Sequence, residues 1–131
     1  MLRAGLFTDI PRVRELLETM HARSRYAGRC KVDGGRVRDI LMAAVGGARK
    51  PGEGAACLFV WESEAPPPAV GRQVDGFIIG TLNRVYLIGD KLVAQDMFFV
   101  TDQAEPRAAG ELIDAYVAWA IERPKVIEVN L

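Results

Sequence analysis

Apolar residues recur at helical spacing in the first third of the chain. Residues 8–27 carry one stripe, preceded by polar residues able to cap a helix and with Pro11 suited to the first turn. Residues 33–45 carry a second stripe after a break near residues 28–30. The residues expected to face inward are Val13, Leu16, Leu17 and Met20, and then Val37, Ile40, Leu41 and Ala44. The pattern therefore predicts two amphipathic helices.

The pattern in the remainder of the chain predicts four strands and one further helix. β-Rich runs at 56–63, 74–85 and 91–101 predict three strands, and the third is nearly continuously apolar at its end, which favours a central position. Residues 107–122 return to helical spacing, and residues 125–131 form a last β-rich run. The helix face expected to turn inward consists of Ala109, Leu112, Ile113, Tyr116, Val117, Ala120 and Ile121.

The predicted order, with a short strand at the start, is β-α-α-β-β-β-α-β. Three strands in sequence without helices between them are expected to be antiparallel neighbours. The final strand–helix–strand unit is expected to cross over right-handedly, which places 92–100 and 125–131 side by side and parallel. The predicted fold class is α/β (α+β), a mixed, mostly antiparallel sheet flanked by helices. Ligands bind beyond the carboxyl ends of parallel strands, so segment 100–109 is the expected site.

Charge divides the chain into two parts, although its total is zero. Residues 1–50 hold eleven Lys and Arg against five Asp and Glu, and residues 51–131 hold six against twelve. This asymmetry fits two solvated faces of opposite sign, or a basic rim for an anionic ligand or an acidic partner. Without a clustered basic patch and interleaved aromatics, we expect no nucleic-acid partner. Apolar runs stay below the about 18 residues of a membrane span, so we expect no membrane partner.

Cysteine and histidine are scarce in this chain. Cys30 and Cys57 are the two cysteines, and His21 is the single histidine. Since these residues form no spaced ligand set, we expect no metal. Two thiols and a start without a signal-peptide pattern lead us to expect one domain over 1–131 in a reducing cytoplasm.

Four segments in this order resemble the GNAT family of N-acetyltransferases. They are DIPRVRELLETMHARSRYA, GFIIGTL, LVAQDMFFV and RAAGELIDAYVAWA, so the resemblance covers nearly the whole chain. The chain looks most like the compact members common in phages and prophages. The resemblance implies a GNAT-like acyl-CoA N-acyltransferase fold, with acetyl-CoA or another acyl-CoA as cosubstrate and the amine of a small molecule or protein as acceptor. The thioester would enter a V-shaped opening between 92–100 and 125–131.

The resemblance also implies which residues bind the cosubstrate. The pantetheine arm would pair with the first strand of the opening, and the pyrophosphate would rest on the loop before the 107–122 helix. Backbone donors and the positive end of a helix dipole suit an anion. The residues implied are Phe98, Phe99 and Val100 for the pantetheine arm and Arg107, Ala108 and Ala109 for the pyrophosphate.

The phosphate loop departs from the family pattern, Arg/Gln-x-x-Gly-x-Gly/Ala. Aligned by the helix, the pattern begins at Ala104 and puts Arg107 in place of glycine. Moved back by one, it begins at Gln103 and puts Pro106 there. Pro106 lacks an N–H, and Glu105 adds a negative charge beside the expected pyrophosphate. Arg107 can compensate by pairing with phosphate directly; the alternative is that this segment is only a helix start.

Four polar residues are candidates for chemistry. Asp96 lies where the family often keeps a carboxylate that draws a proton from the amine, and the alternative is a solvent-facing or hydrogen-bonded strand residue. His21, Arg25 and Tyr26 lie where the family contacts the acceptor, and the alternative is exposed polar surface. His21 and Arg25, four residues apart, would share a helix face. Trp119 is expected to pack in the core rather than to stack on a ligand.

The C-terminal end also departs from the family, which usually continues with another helix and two strands. The tyrosine that serves some members as general acid lies in that helix, so no residue here inherits its role. Strand 125–131 would have an apolar, unpaired edge, which predicts a homodimer. Three functions remain open: an acyltransferase, a non-catalytic dimeric binding or structural module with weak or no CoA binding, and a regulator whose basic third contacts an acidic partner.

Overall fold

The computed structural model describes residues 1–101 and 104–131 and contains a five-stranded sheet with helices on both faces. The strands are β1 (Leu2–Ala4), β2 (Ala56–Glu64), β3 (Arg72–Arg84), β4 (Leu92–Val100) and β5 (Val126–Asn130), and the helices are α1 (Ile10–Ala22), α2 (Gly34–Gly46) and α3 (Pro106–Ile121). Single 3-10 turns lie at Phe7–Asp9 and Val85–Leu87. The predicted order of elements is confirmed.

The sheet has the order β1-β2-β3-β4-β5 and is antiparallel except for the parallel β4–β5 pair. The mixed sheet and the parallel pairing of β4 with β5 are therefore as predicted. β4 lies between β3 and β5, so its predicted interior position is confirmed. The middle strand of the five is β3, which is buried continuously from Val74 to Gly80. The exposure of β4 is mixed, since its second half lacks a β5 neighbour.

Each face of the sheet carries its own core. Side chains between the sheet and the first two helices include Val13, Leu16, Leu17, Leu41, Phe77 and Ile79. Side chains beneath α3 include Trp61, Ile78, Leu82, Leu112, Tyr116 and Trp119. Neighbouring residues of β3 alternate between the two cores because the strand period is two. We call these sides the α1–α2 face and the α3 face.

α3 is rotated relative to the expected stripe. Its buried residues are Ala108, Leu112, Tyr116, Trp119 and Ala120, whereas Ala109, Ile113 and Val117 are half-buried and Ile121 is exposed. The Tyr116 ring packs where a Cβ on Gly80 would lie, 2.5 Å from two ring carbons, so this glycine admits the tyrosine and sets the rotation. The expectation for Trp119 is confirmed, since it is buried and donates its indole N–H to the Ala48 carbonyl at 2.9 Å.

α1 ends at Ala22, five residues before the predicted boundary. The Ser24 hydroxyl donates to the His21 carbonyl at 2.7 Å and accepts the Tyr26 N–H at 3.2 Å. Such local side-chain bonds compete with the helix ladder. His21 and Arg25 therefore do not share a helix face, which corrects the sequence-based expectation.

A partly buried ion pair fixes the start of α1. The Arg3 guanidinium donates to both Asp9 carboxylate oxygens, at 2.7 and 2.8 Å, and the Leu6 N–H donates to one of them at 2.7 Å. Arg3 also donates to Glu62 of β2 at 2.8 Å. The Arg3 guanidinium holds the pKa of Asp9 below its ordinary value, against the opposing effect of burial. This network joins β1, α1 and β2.

Candidate functional site

The pairing of β4 with β5 stops halfway along β4, where β5 ends. Their parallel pairing begins at Leu92 and Val126 and ends at Gln95 and Asn130. β4 continues through residues 96–100, and there the described part of the chain pairs with it only from the β3 side. Beyond the end of β5, the backbone of β4 therefore borders an opening on that side. An extended chain carrying amide groups can pair with such a strand edge.

A β-bulge marks the start of the opening. Ile79 of β3 is opposite Phe98, but Gly80 is opposite Asp96, which leaves Met97 as the extra residue. Phe98 packs against the core of the α1–α2 face. Asp96 shares the α3 face with Gly80, because directly paired residues lie on the same side of a sheet. The predicted base and the first predicted pantetheine contact therefore point to opposite faces.

Tyr116 of α3 lies beneath the bulge. Its hydroxyl donates to the Asn130 carbonyl, at the last residue of β5, at 2.8 Å. Burial, with a smaller contribution from the Asp96 carboxylate, raises the pKa of Tyr116 above its ordinary value. Burial also raises the pKa of the Cys57 thiol to about 12. Both groups stay protonated near neutral pH, so Tyr116 is a fixed hydrogen-bond donor at the end of β5.

A cavity of about 240 Å³ lies between the end of α1, the start of α2 and β4. We call it the α1–α2 cavity. Its apolar wall is formed by Leu17, Met20, Val32, Val37, Ile40 and Phe98. Three polar residues, His21, Asp33 and Arg36, also line it. This cavity combines a largely apolar interior with charges of both signs.

A second cavity, of about 200 Å³, lies between α1 and the end of β4, and we call it the strand-end cavity. Phe99 and Val100 line it, as do Leu16, Met20 and Arg23 of α1 and the turn after it. Met20 lines both cavities, so they adjoin. The three predicted pantetheine contacts are thus distributed over two neighbouring cavities.

His21 is the one of the three predicted acceptor contacts that lines the α1–α2 cavity. Its Nε2 lies 3.0 Å from the Cys30 carbonyl oxygen, and since a carbonyl only accepts, Nε2 carries the proton. In the neutral form of the ring, the lone pair is therefore on Nδ1. Arg25 and Tyr26 are exposed and pair with each other, with the guanidinium 2.7 Å from the phenol oxygen and 4.9 Å from the ring centroid.

Arg36 and Asp33 differ in the hydrogen bonds that their side chains already make within the protein. Within residues 1–101 and 104–131, the Arg36 guanidinium has no hydrogen-bond or ion-pair partner. One oxygen of Asp33 caps α2 by accepting the N–H groups of Gly35 and Arg36 at 3.0 and 3.2 Å. Sequence reasoning missed both residues as site residues, because a charged residue on an amphipathic helix reads as solvated surface.

The start of α3 has already used much of its hydrogen-bonding capacity. The Ala104 N–H donates to the Thr101 carbonyl at 3.2 Å, and the Ala108 N–H donates to the Glu105 carbonyl at 2.9 Å. Pro106, at the first helical position, has no N–H. These three positions therefore offer no free backbone N–H group to a phosphate. The alternative loop alignment beginning at Gln103 lies outside the described residues.

Arg107 is bound to carboxylates rather than uncommitted. Its Nε donates to Glu105 at 3.0 Å and lies 3.9 Å from Glu111, and its guanidinium carbon is 5.3 Å from the centroid of the Trp61 ring. A cavity of about 550 Å³ beside it is lined by two arginines and the chain's amino terminus but also by four carboxylates, Glu62, Glu64, Asp75 and Glu105. This charge balance is unfavourable for a pyrophosphate.

None of the helices in the described ranges has the length and apolarity needed to cross a membrane. In the same ranges, no cluster of three or more His, Cys, Asp and Glu residues could hold a metal ion. Cys30 is exposed and Cys57 is buried, and neither forms a disulfide.

Solved structures identify the fold. Over its whole length the chain is similar to an aminoglycoside acetyltransferase from an uncultured soil metagenomic sample (TM-score 0.64, 14% identity, 76% of that chain covered). It is also similar to a possible acetyltransferase from Clostridium difficile 630 (TM-score 0.67, 10% identity, 77% covered). A third similar structure is a ribosomal-protein-alanine N-acetyltransferase from Brucella melitensis biovar Abortus 2308 (TM-score 0.65, 15% identity, 77% covered).

The mixed sheet, the parallel β4–β5 pair and the flanking helices are those of the GNAT acetyltransferase fold. No protein-family model and no curated protein matches the sequence. At these identities the likeness is one of fold, and function has to be argued from the site.

Proposed function

We propose that the protein is an N-acyltransferase that transfers the acetyl group of acetyl-CoA, or another acyl group carried as a CoA thioester, to an acceptor amine. The observation that carries this proposal is the opening beside β4 beyond the end of β5. There, the second half of β4 presents a strand edge beside the strand-end cavity and leads towards α3. The fold supports the proposal, since the similar structures include acetyltransferases.

The residues at the opening fit one end of an acyl-CoA better than the other. The strand edge at Phe98, Phe99 and Val100 suits the amides of a pantetheine arm. The pyrophosphate would be held by residues 107–109, where Arg107 is the charged group and must exchange Glu105 for phosphate. The cosubstrate supplies the thioester, whose acyl carbon is the electrophile.

The contribution of the protein to the reaction is mainly placement. The strand-end cavity and the α1–α2 cavity adjoin at Met20, so a thioester in one and an amine in the other are held close together. Backbone N–H groups on the β4 edge are suited to stabilise the negative charge that develops on the acyl oxygen.

Calorimetry and thermal shift with acetyl-CoA and with CoA test the proposal, followed by detection of released thiol in the presence of amines. We expect acetyl-CoA to bind with a dissociation constant below about 1 mM. Absence of heat and of any shift in melting temperature at millimolar acetyl-CoA would contradict it. The binding experiment needs no knowledge of the acceptor.

A non-catalytic module is the second candidate function. The ion pair between Glu105 and Arg107 and the internal bond of the Ala108 N–H favour it, because they oppose phosphate binding. The same calorimetry separates the two functions. A protein that binds no acyl-CoA yet folds normally would be such a module.

We also propose a homodimer formed through β5. This strand pairs only with β4 within the described ranges, and Ile127 and Leu131 are 65% and 67% exposed. An apolar sheet edge of this kind pairs readily with a second chain, and a stable interface would bury at least about 1,000 Å². Sedimentation of the wild type and of Ile127→Glu tests it. A wild-type monomer at roughly tens of micromolar would contradict the dimer.

A further inference from the structure

The α1–α2 cavity has apolar residues that are incompletely buried and charged groups that are incompletely paired. Met20 is 37% exposed, and Val37 and Ile40 are half-buried, although all three lie on the apolar stripes of their helices. The Arg36 guanidinium has no partner within the described ranges. Arg36 is exposed, so its guanidinium is hydrated and available to pair with a ligand that covers the apolar surface beside it.

We propose that the α1–α2 cavity is the acceptor site and that the acceptor is a free apolar α-amino acid. This inference rests on the proposed N-acyltransferase function, because it names the amine that receives the acyl group. The side chain of the amino acid would pack against the apolar wall of the cavity. Its ammonium and carboxylate groups would pair with the polar residues that line the cavity.

The volume of the cavity limits the size of the occupant. At about 240 Å³ it lies below the roughly 300–1,000 Å³ of sites that enclose drug-sized ligands. A single aliphatic or aromatic side chain is the group that fits this space. Large polycationic amines do not fit, because their charges would be desolvated against Val37, Ile40 and Phe98.

Charge selects a zwitterion. Arg36 presents a planar guanidinium suited to pair with a carboxylate through two hydrogen bonds. The Asp33 carboxylate, which also lines the cavity, attracts the ammonium group. The first residue of a peptide has an amide where the free amino acid has a carboxylate, so a peptide would leave Arg36 unpaired. The free amino acid is therefore favoured over a protein N-terminus.

His21 supplies the base for this acceptor. Its Nε2–H is held by the Cys30 carbonyl, so Nδ1 is the nitrogen with a free lone pair. The ammonium group gives one proton to Nδ1, and the amine nitrogen then forms the new C–N bond at the acyl carbon of the thioester. The C–S bond breaks, and the sulfur takes its electron pair and the second proton lost by nitrogen. The imidazolium returns its proton to water.

Binding of amino acids is measured first, by NMR of the imidazole nitrogens in the presence of CoA. The signals are unambiguous because His21 is the single histidine in the chain. L-Leucine is compared with L-leucinamide, 3-methylbutylamine and glycine, which lack the carboxylate charge, the carboxylate and the side chain respectively. We expect leucine to bind at least about tenfold more tightly than each, the loss expected for one charged pair or one buried side chain.

Variants test the assignment of each group. Arg36→Gln should weaken leucine binding about tenfold and leave leucinamide binding unchanged. Arg38→Gln, two residues along the same helix and outside this cavity, is the matched control and should change neither. Ile40→Trp should fill the cavity and remove leucine binding while acetyl-CoA binding is retained.

Three results would overturn the inference. The first is that leucine fails to bind at roughly 10 mM, with or without CoA. The second is that leucinamide binds as well as leucine, which assigns a peptide or another amine. The third is that Ile40→Trp changes the choice between acetyl-CoA and hexanoyl-CoA but not leucine binding, which makes the cavity an acyl-chain site. Because leucine binding is read from His21, a failure to bind acetyl-CoA disproves the proposed function separately.

Discussion

At the start of α3 the charged groups are paired with one another, whereas in the α1–α2 cavity they are not. Arg107 is bound to Glu105, and the Ala108 N–H is used within its own turn. Across the sheet, Arg36 has no partner within the described ranges, and the His21 ring is held by one nitrogen only. Both regions border the second half of β4, and both were candidates for ligand binding.

This difference separates charges that are paired within the protein from charges that can pair with a ligand directly. The exposed Glu105–Arg107 pair contributes little to stability, but it must be released before Arg107 binds anything else. An unpaired charge contributes little to stability, and its removal is felt when a ligand arrives. Under the proposed function, the α1–α2 cavity would therefore bind the acceptor without rearrangement, whereas the start of α3 would have to rearrange to bind the phosphates.

The largest expected effect concerns the base. His21→Gln should lower kcat for transfer to leucine about 100-fold, since a general base contributes roughly 10²- to 10⁴-fold. Binding of acetyl-CoA should change by less than about threefold, because a base acts on turnover and not on cosubstrate affinity. Initial rates at saturating acetyl-CoA, with calorimetry beside them, give both values.

Asp96→Asn is the competing variant. The family resemblance made Asp96 the candidate base, but Asp96 lies on the α3 face, next to Tyr116 and away from the α1–α2 cavity. We expect a much smaller loss of kcat from this substitution than from His21→Gln. A large loss of kcat with Asp96→Asn and none with His21→Gln would identify Asp96 as the base. The reacting groups would then lie on the α3 face and not in the α1–α2 cavity.

Asp9→Asn should cost about 2 kcal/mol of stability at pH 7, the value expected for hydrogen bonds to a charged group. Arg3 lowers the pKa of Asp9 from its ordinary 3.8. The stabilisation is therefore present above that value and is lost as the pH falls through the lower, folded-state pKa. Urea unfolding at several pH values should show the difference between variant and wild type shrinking below pH 3.8.

Asp39→Asn on α2 is the control for this experiment, since Asp39 is exposed and has no partner within residues 1–101 and 104–131. It should change stability by less than about 0.5 kcal/mol, and so should Arg36→Gln. If Arg36→Gln instead lowers the free energy of unfolding by much more than this, the guanidinium stabilises the fold and is not free to pair with a ligand.

Sequence reasoning recovers the fold because the signals for its strands and their connections are local. The parallel β4–β5 pair follows from chain order and the handedness of crossovers, without any knowledge of contacts. The end of α1 was missed because Ser24 breaks the ladder by a side-chain bond that periodicity does not register. The rotation of α3 was missed because it depends on Gly80, a residue on another element.

The candidate site is less predictable for the same reason. His21 and Phe98 were found through the resemblance, but Arg36 was not, since the sequence does not show whether a charged residue has a partner. Met20 and Ile40 read as core positions and are incompletely buried. Only the packing of α1 against α2 reveals that they line a cavity.

The phosphate side of the contrast is tested with two opposite changes. Arg107→Glu should weaken acetyl-CoA binding about tenfold, or ~1.4 kcal/mol. Glu105→Gln should instead tighten binding a few-fold, because it frees Arg107 and removes a negative charge beside the phosphates. Calorimetry at low and high salt measures both. If neither substitution changes the affinity, the start of α3 is a helix cap and the phosphates lie elsewhere.

The smallest expected effect on stability is at the end of β5, where α3 is hydrogen-bonded to the last residue of the strand. Tyr116→Phe removes the hydroxyl that donates to the Asn130 carbonyl at 2.8 Å. It should cost about 1 kcal/mol, the net value of one neutral hydrogen bond. Because its raised pKa keeps the hydroxyl protonated, the cost should be constant from about pH 6 to pH 9. Tyr86→Phe, at an 89% exposed position, is the control and should cause no measurable loss of stability.

Amide hydrogen exchange should accelerate at Val129 and Asn130 in Tyr116→Phe while the β2–β3 amides keep their protection. Uniformly faster exchange across the sheet would instead mean that Tyr116 supports the α3 core as a whole and not the position of β5.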